Sequence, residues 1–437
     1  MKICIILPPA PGLYDQRTNV PLGPLYIAAV LEQAGHEVEV ISLLAHPIPA
    51  SWPRADLYAM GFTTPQVGAV KGLLQLIRAQ YHSAHVLAAG PHPTARPWQT
   101  LQMGFDSALL GEGELTILDV VQDLPDLRPV YQGRMVEDLD SVPLPARHLI
   151  PREDLFNDAT AVFRGGHQDG HVTSIMGSRG CPNKCAFCSN PLYACKTRFR
   201  SAANIVVELQ EMAAQGVTCF KFQDDTFTIR PEPVIALGQA CVEAFGPGAI
   251  ATRMNTRVNT FPERIIPALK QLNLEVAAFG IESGSQSVLN AVRKGITIAQ
   301  AERSLRLAHD AGFLTLGLFV FGMPGENAET VDETIEFWRR NRPYMDTANL
   351  AVFVPYPGCD IAERPHHYRM HILDHDWNRY WIVQKETILA LPYDVSFQEM
   401  LDLKQRSFEA FADLGLGKPD WAHDLTEDAR LTRNSSA

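Results

Sequence analysis

Short apolar runs alternate with amphipathic stretches along most of the chain, a pattern typical of repeated β-strand and α-helix units. In the first part of the chain, strands are predicted at 2–7, 37–41, 56–62 and 85–89. Segments 22–33 and 67–81 have helical spacing, and the first is followed by Gly35, a residue type common at helix C-termini. The alternation predicts a doubly wound, Rossmann-like parallel sheet over residues 1–135.

The alternation returns over residues 171–360 and predicts a second α/β domain. Strands are expected near 218–223, 249–254, 274–279, 313–321 and 348–354, with helices near 201–215, 232–245, 262–272, 298–311 and 329–340. About six strand–helix units indicate a partial (β/α)6 barrel of the TIM type. Residues 136–170 are interpreted as a linker.

Residues 361–437 are predicted to form a small helical C-terminal region. The region is rich in rings, namely His366, His367, Tyr368, His371, His375, Trp377, Tyr380 and Trp381. These rings are compatible with a solvated helical cap or with a substrate lid over the barrel mouth, and the histidine spacings are only a weak metal signal. The last dozen residues are polar and are predicted to be disordered.

Composition narrows the classes of function. The chain has 437 residues and a net charge of −11, which makes nucleic acid an unlikely partner, although Lys196, Arg198 and Arg200 could form a local basic patch. The longest apolar stretch, 313–323, is too short to span a bilayer, so no membrane association is expected. Eight cysteines, three of them clustered, favour a reducing compartment and a cytoplasmic location.

Three of the cysteines define the chemistry. Cys181, Cys185 and Cys188 have the spacing C-x3-C-x2-C and directly follow a predicted strand. A cubane iron–sulfur cluster normally takes four thiolates, so three thiolates would leave one iron open. The amino and carboxylate groups of S-adenosylmethionine could chelate that iron. The alternative is a zinc site, for which Cys195, His167 or His171 would have to supply the fourth ligand at no recognisable zinc spacing.

The cysteine loop, with Phe187 before its last cysteine, resembles that of the radical S-adenosylmethionine superfamily. Polar residues at the predicted strand ends support this resemblance, namely Asp224, Asp225, Arg257, Asn259, Glu282, Ser283 and Gly322. The resemblance implies that Asp224 and Asp225 lie near the methionine amino group and Arg257 near its carboxylate. Glu282 would be a polar contact to the cofactor, and the stretch containing Gly322 would lie near the adenine. Any one of these residues could instead be a helix cap or a surface ion pair.

Loops at the strand ends of the first domain carry a second resemblance. They contain Gly61-Phe-Thr-Thr-Pro-Gln, Gly90-Pro-His-Pro-Thr and Gly111-Glu-Gly-Glu. Alone these are ordinary turn residues, but together they resemble the cobalamin-binding domain that precedes many radical S-adenosylmethionine domains. The cofactor-binding residues this implies are Thr63, Thr64, Gln66, Gly90, His92, Gly111 and Glu112.

The loop after the first strand departs from one cobalamin pattern. Cobalamin proteins of the methionine-synthase type carry D-x-H-x-x-G there, and the histidine ligates cobalt. This chain has Asp15 and Arg17 in those places and no histidine. We therefore expect either cobalamin without a histidine on its lower face, or a domain that has lost cobalamin.

The resemblance implies an enzyme with a 4Fe-4S cluster, S-adenosylmethionine and cobalamin, reduced by a donor such as flavodoxin or ferredoxin. A 5′-deoxyadenosyl radical would activate a carbon of a small-molecule substrate, and methylcobalamin would supply a methyl group. The alternatives are a rearrangement, cyclisation or oxidation with the same cofactors, a methylthiotransferase, or a non-catalytic sensor. Tyr356 and Cys359 are candidate catalytic residues, as proton or radical carriers near the barrel mouth.

Overall fold

The computed structural model describes residues 1–13, 16–158, 171–192, 196–382 and 387–416. Its first domain contains β1 (Lys2–Leu7), α1 (Leu22–Gln33), β2 (Glu37–Ser42), β3 (Leu57–Gly61), α2 (Val67–Gln80), β4 (His85–Ala89), α3 (Pro91–Ala95), α4 (Pro97–Gln102), β5 (Ser107–Leu110), α5 (Ile117–Gln122) and β6 (Val130–Gln132). The strands form one parallel sheet in the order β2-β1-β3-β4-β5-β6. The predicted doubly wound sheet is confirmed.

Both faces of this sheet are covered. Ile3 and Ile5 of β1 belong to the core cluster that contains α1, whereas Cys4 and Ile6 belong to the cluster that contains α2. Successive strand side chains point to opposite faces, so a continuous apolar strand buries both of them. The sheet leaves only its strand ends available for a ligand.

The second domain contains α6 (Arg152–Leu155), β7 (Asn157–Asp158), β8 (His171–Ile175), β9 (Ser178–Arg179), β10 (Arg198–Phe199), α7 (Ala202–Ala213), β11 (Val217–Phe222), α8 (Pro231–Phe245), β12 (Ala251–Thr256), α9 (Ile266–Gln271), β13 (Leu274–Glu282), α10 (Gln286–Ala291), α11 (Ile298–Asp310), β14 (Leu314–Phe321), α12 (Ala328–Asn341) and β15 (Thr347–Val352). The sheet order is β15-β14-β13-β12-β11-β8-β7. Six of these strands are parallel, which confirms the partial (β/α)6 barrel. The seventh, β7, pairs antiparallel with β8 and comes from the segment interpreted as a linker.

The C-terminal region contains α13 (Asp360–Glu363), β16 (Met370–Ile372), β17 (Ala390–Pro392) and α14 (Phe397–Asp413). Helix α14 packs on α12, where the rings of Phe411 and Trp338 are 5.2 Å apart. Strands β16 and β17 form an antiparallel pair that the helical prediction did not include. The polar last dozen residues lie outside the described residues.

Buried charges hold the two domains together. Glu208 of α7 accepts hydrogen bonds from Arg147 Nη2 at 2.6 Å and from Arg200 Nη1 at 2.5 Å, and all three side chains are at most 5% exposed. Arg200 Nη1 also lies 3.5 Å from the hydroxyl of Tyr26 on α1. One carboxylate thus connects the linker, the barrel and the first domain.

The three residues of the possible basic patch form ion pairs within the chain. Lys196 pairs with Glu137, Arg198 with Glu112, and Arg200 with Glu208. These three cations therefore neutralise carboxylates of the same chain. Separately, none of the helices in the described ranges has the length and apolar character needed to cross a bilayer.

Candidate active site

The three clustered cysteines lie on a loop whose base is closed by the antiparallel pair β9 and β10. The loop is fixed to the barrel by a hydrogen bond from Ala186 N to Val292 O at 2.8 Å. Cys181 and Cys185 are buried, and Cys188 is partly exposed. Burial raises the pKa of Cys188 to about 11, and the charges of Cys185, Asp225 and Cys181 add to the effect, which shows that these thiols are neighbours.

Each of the three sulfur atoms accepts a hydrogen bond from nitrogen. Asn183 Nδ2 is 3.1 Å from Cys181 Sγ, Arg257 Nη1 is 3.3 Å from Cys185 Sγ, and the Asn190 amide is 3.4 Å from Cys188 Sγ. N–H donors to sulfur tune the reduction potential of iron–sulfur clusters. The donor set therefore suits three thiolates that ligate a cluster.

A zinc site at these cysteines has less support. The described residues contain no group of three or more Cys, His, Asp or Glu side chains arranged to hold a single metal ion. Cys195 and His167, two of the proposed fourth ligands, lie outside the described residues. His171 is described, and its ring stacks on Phe156 at 5.2 Å, far along β8 from the loop.

Asp224 and Asp225 hold the strand β8 end and the cysteine loop against β11. Asp224 is buried and accepts hydrogen bonds from the Gly177 amide at 3.0 Å and from the Ser178 hydroxyl. Burial outweighs those hydrogen bonds and raises the pKa of Asp224 to about 6. Asp225 accepts from Gly180 N at 3.1 Å and from Asn190 Nδ2 at 2.6 Å, and burial also raises its pKa.

Arg257 is attached to the cluster loop by its bond to Cys185. Its other terminal nitrogen donates to the carbonyl of Lys294, and its Nε lies 3.3 Å from Asn259 Oδ1. Lys294 in turn lies 2.6 Å from Glu282 Oε1 and 5.6 Å above the ring of Phe187. The structure thus groups Arg257, Asn259 and Glu282 around the loop, with Lys294 between them.

Ser283 and Gly322 have local structural contacts. Ser283 Oγ lies 3.2 Å from Thr334 Oγ1 of α12. Gly322 has a φ of 89°, a conformation that favours glycine, and its amide donates to Glu326. Burial raises the pKa of Glu326 to about 7. A direct part in cofactor binding stays a prediction for both Ser283 and Gly322.

The loop after β3 is fixed by its own capping interactions. Gln66 Oε1 accepts from Thr63 N at 3.0 Å, and Gln66 Nε2 donates to Pro8 O at 3.1 Å. The Thr64 hydroxyl is 3.2 Å from Nδ1 of His92, which is fully buried, and burial lowers the pKa of that imidazole to about 4. At Gly90, where φ is 93°, an added Cβ would lie 3.0 Å from the Phe62 amide.

Glu112 anchors the base of the cysteine loop to the first domain. Its carboxylate binds Arg198 through Nη1 at 2.8 Å and Nη2 at 2.5 Å and accepts from Val136 N at 2.8 Å. Burial opposes ionisation, but these bonds outweigh it and hold the pKa of Glu112 below its usual value. Arg179, next to the cysteine motif, binds Glu114 at 2.7 Å and lies 4.9 Å from the Tyr26 ring centroid.

A cavity of about 600 Å³ lies between the two domains. The first domain contributes the ends of β1, β3, β4 and β5, including five of its predicted residues, Thr63, Gln66, Gly90, Gly111 and Glu112. The barrel contributes Arg179, Gly180, Asn190 and Asp225 from the cysteine loop and the strand end beside it. Thr64 and His92 are not among the cavity-lining residues. The cavity is therefore bounded by both of the predicted cofactor regions.

Tyr356 and Cys359 do not line this cavity. Cys359 is fully buried, its sulfur accepts from Ala362 N at 3.4 Å, and burial raises its pKa to about 12. Tyr356 packs near Tyr380, with ring centroids 6.4 Å apart, and burial raises its pKa well above the ordinary value. Their catalytic roles stay predictions.

Part of the aromatic tail docks onto the first domain. The Trp377 ring lies 5.8 Å from the His92 ring, and a Cβ at Gly12 would overlap the Trp381 ring. A Cβ at Gly68 of α2 would overlap Asn378. We call residues 376–381 the docking segment.

The residues present fit the implied cofactors. Three neighbouring thiols with nitrogen donors suit a cluster that keeps one open iron. Carboxylates and Arg257 beside them suit a zwitterionic ligand. The cavity volume falls within the 300–1,000 Å³ range of ligand pockets, and its wall is largely apolar with a few polar groups.

Comparison with known proteins agrees with this geometry. Residues 175–337 match the family model described as the radical SAM superfamily, and residues 17–121 match that of the B12 binding domain. An uncharacterized methyltransferase of Pyrococcus horikoshii is 26% identical, over 94% of this chain and 92% of that protein. The cytidylyl-2-hydroxyethylphosphonate methyltransferase of Streptomyces wedmorensis is 24% identical, over 94% and 90%. The radical S-adenosylmethionine methyltransferase TsrM of Kitasatospora setae, with cobalamin and a [4Fe-4S] cluster bound, has a TM-score of 0.69 at 18% identity, over 94% and 88%.

The fold and the two matched domains define a radical S-adenosylmethionine enzyme with a B12-binding domain. Within that class, the chain is similar over most of its length to methyltransferases, one of which has been solved with cobalamin bound. Its cofactors are a [4Fe–4S] cluster, S-adenosylmethionine and cobalamin.

Sequence reasoning missed two residues of the site. Arg179 precedes Gly180 and Cys181, and its position inside the cysteine motif was the available signal. Lys294 lies twelve residues after Glu282 and belongs to no motif, and the fold brings it to both Glu282 and Phe187.

Proposed function

We propose that this enzyme transfers a methyl group to an unactivated carbon of a small-molecule substrate. The observation that carries the proposal is the shared cavity, whose wall is formed by the strand ends of the B12-binding domain and by the cysteine loop. Methyl transfer from cobalamin to a carbon needs both cofactors at one substrate. A cavity enclosed by both cofactor regions supports that arrangement.

Cys181, Cys185 and Cys188 would hold the cluster, Asp224, Asp225 and Arg257 would surround S-adenosylmethionine, and the loops at Thr63, Gly90 and Gly111 would hold cobalamin. When bound, these groups supply a reducing electron, a carbon radical and a transferable methyl group. The chain itself binds and orients them. The largely apolar wall of the cavity would limit the access of water to the reacting atoms.

Asp225 would link the two halves of the site. Its carboxylate holds Gly180 N and Asn190 Nδ2, so it fixes both ends of the cysteine loop, and it also lines the cavity. Arg257 would stabilise negative charge on Cys185 through Nη1. These are positioning roles.

The proposal also includes an electron donor such as flavodoxin or ferredoxin and a cytoplasmic location. The seven described cysteines are all free thiols, which supports a reducing compartment. Rearrangement, cyclisation or oxidation with the same cofactors is the competing outcome of the test below.

The test is anaerobic reconstitution with iron, sulfide and hydroxocobalamin, followed by metal analysis and reduction in the presence of methyl-labelled S-adenosylmethionine. About four irons and one cobalt per chain, 5′-deoxyadenosine, and label in a substrate carbon are expected. C185A should lose iron, whereas the buried control C241A should keep it. Formation of 5′-deoxyadenosine without label in any product would contradict methyl transfer, and cobalt-free protein would contradict the role of cobalamin.

A further inference from the structure

Two cations lie side by side on the inner face of the barrel. Lys221 of β11 is directly opposite Arg253 of β12 in the parallel register, and neighbouring strands are about 4.8 Å apart. Their sequence neighbours Phe220, Phe222 and Met254 belong to the core beneath the helices. Because successive strand side chains alternate, Lys221 and Arg253 project to the opposite face, into the barrel.

This pair has no carboxylate partner within the described part of the chain. Lys221 Nζ donates to Asn19 Oδ1, a neutral acceptor, at 2.6 Å. Arg253 Nε is buried and has no hydrogen-bond partner. Four fully buried cations, Arg147, Arg198, Arg200 and Lys294, are each paired with a glutamate, whereas buried Arg257 binds Cys185, Asn259 and a backbone carbonyl.

Two adjacent, half-buried cations without a carboxylate partner repel each other, and an anion bound between them would relieve that repulsion. Burial lowers the pKa of Lys221 to about 8, with a further contribution from Arg253, and burial lowers the pKa of Arg253 to about 10. The interior of the half-barrel is open enough to admit a ligand, since Asn255, two residues beyond Arg253 on the same face, is exposed.

We propose that Lys221 and Arg253 form a binding site for an oxyanion group of the substrate, a carboxylate, phosphate or phosphonate. The fork of Arg253 can bind two oxygens of such a group, and Lys221 adds a point charge. The inference rests on the proposed function for the statement that the bound anion is the substrate.

The site also fixes how the substrate lies. Lys221 is three residues before Asp224, so it lies about 10 Å below the strand end where the cofactor residues gather. An anion held at Lys221 and Arg253 would place the carbon that reacts at the opposite end of the molecule. A substrate about 10 Å long with an anionic end and an unactivated carbon is therefore expected.

The test measures binding of simple anions to the reconstituted full-length enzyme saturated with S-adenosylmethionine. Inorganic phosphate, methylphosphonate and acetate are titrated by calorimetry, with glycerol as the neutral comparison. We expect R253M and K221M to weaken the preferred anion about tenfold to a hundredfold, R253K to weaken it less, and R303M, a change at an exposed arginine, to have no effect. If the enzyme binds acetate more tightly, the substrate group is a carboxylate; if it binds phosphate or methylphosphonate more tightly, the group is a phosphorus oxyanion.

Equal anion affinity in the wild type and R253M, or no anion binding above that of glycerol, would overturn the inference. Unfolding is checked by thermal melting, and R253M should melt no lower than the wild type because it removes a charge whose buried Nε has no hydrogen-bond partner. Anion binding requires no turnover. An enzyme that binds phosphate at Arg253 but transfers no methyl group would therefore refute the proposed function and leave the anion site intact.

Discussion

Replacing Glu208 with glutamine should destabilise the whole chain, because one carboxylate neutralises two buried guanidinium groups. Each oxygen of Glu208 takes one arginine, at 2.6 and 2.5 Å, and the carboxylate side chain is 1% exposed. E208Q leaves Arg147 and Arg200 as adjacent buried cations without a counter-charge. Breaking a buried pair by removing one partner costs about 3–5 kcal/mol, and here two pairs share the partner.

The assay is thermal unfolding of E208Q beside E211Q, which changes an exposed glutamate three residues further along the same helix, α7. For a chain of 437 residues that unfolds as one unit, a loss of about 3–5 kcal/mol corresponds to a fall in melting temperature of roughly 3–6 °C, whereas E211Q should stay within about 0.5 kcal/mol of the wild type. Hydrogen exchange should also increase near Tyr26, because Arg200 contacts its hydroxyl. Equal melting of E208Q and E211Q would refute the argument that this carboxylate holds the domains together.

Three further predictions concern the docking segment, the cavity and the anion site. G12A should displace the Trp381 ring at a cost of about 1–3 kcal/mol, and proteolysis near residues 376–381 should therefore become faster. The control is G72A, whose added Cβ meets nothing within 4 Å and should leave the rate of proteolysis unchanged. Equal rates of proteolysis in the two variants would contradict the contact between Gly12 and Trp381. E112Q should reduce cobalt retention, because Arg198 loses its ionised partner, and cobalt content equal to that of E137Q, a change at an exposed ion pair, would argue against this. Sulfate, whose charge is constant, should bind well below pH 8 and more weakly above it, because Lys221 loses its proton there while Arg253 stays charged, and K221M should abolish this dependence. On the neighbouring strands Lys221 is opposite Ser174 of β8 and Arg253 of β12, and it contacts Asn19 of the first domain; of these three, only Arg253 is charged.

The alternation of apolar strands and helices was sufficient to predict both α/β domains, since strands such as β1, β3 and β4 are buried on both faces and form short apolar runs. The order of the strands within each sheet could not be predicted from this alternation. Strand β7, with two residues, carries no periodicity, and the pair β16 and β17 is separated by loop sequence without a hairpin turn signal. Short elements of this kind are set by tertiary contacts.

The residues of the candidate site likewise differ in whether the sequence alone could predict them. Cys181, Cys185 and Cys188 are close in sequence, so their spacing alone predicted a common site. Glu112 and Arg198 are 86 residues apart, and neither belongs to a motif that predicts the other. The basic run at 196–200 suggested an external patch because its carboxylate partners are distant in sequence, and the fold buries or pairs each cation instead.

The loop after β1 differs from the methionine-synthase pattern in sequence, and its described residues contact the barrel. In that pattern the loop carries the histidine that ligates cobalt. Here Asn19 binds Lys221, Val20 N donates to Ser174 Oγ at 3.2 Å, and Val20 O accepts from Gln223 Nε2 at 3.3 Å. Residues 19 and 20 of this loop thus contact the inner strands of the barrel and contribute to docking of the two domains. The same contact places the first domain 2.6 Å from Lys221, so occupation of the anion site and docking of the B12-binding domain share one side chain.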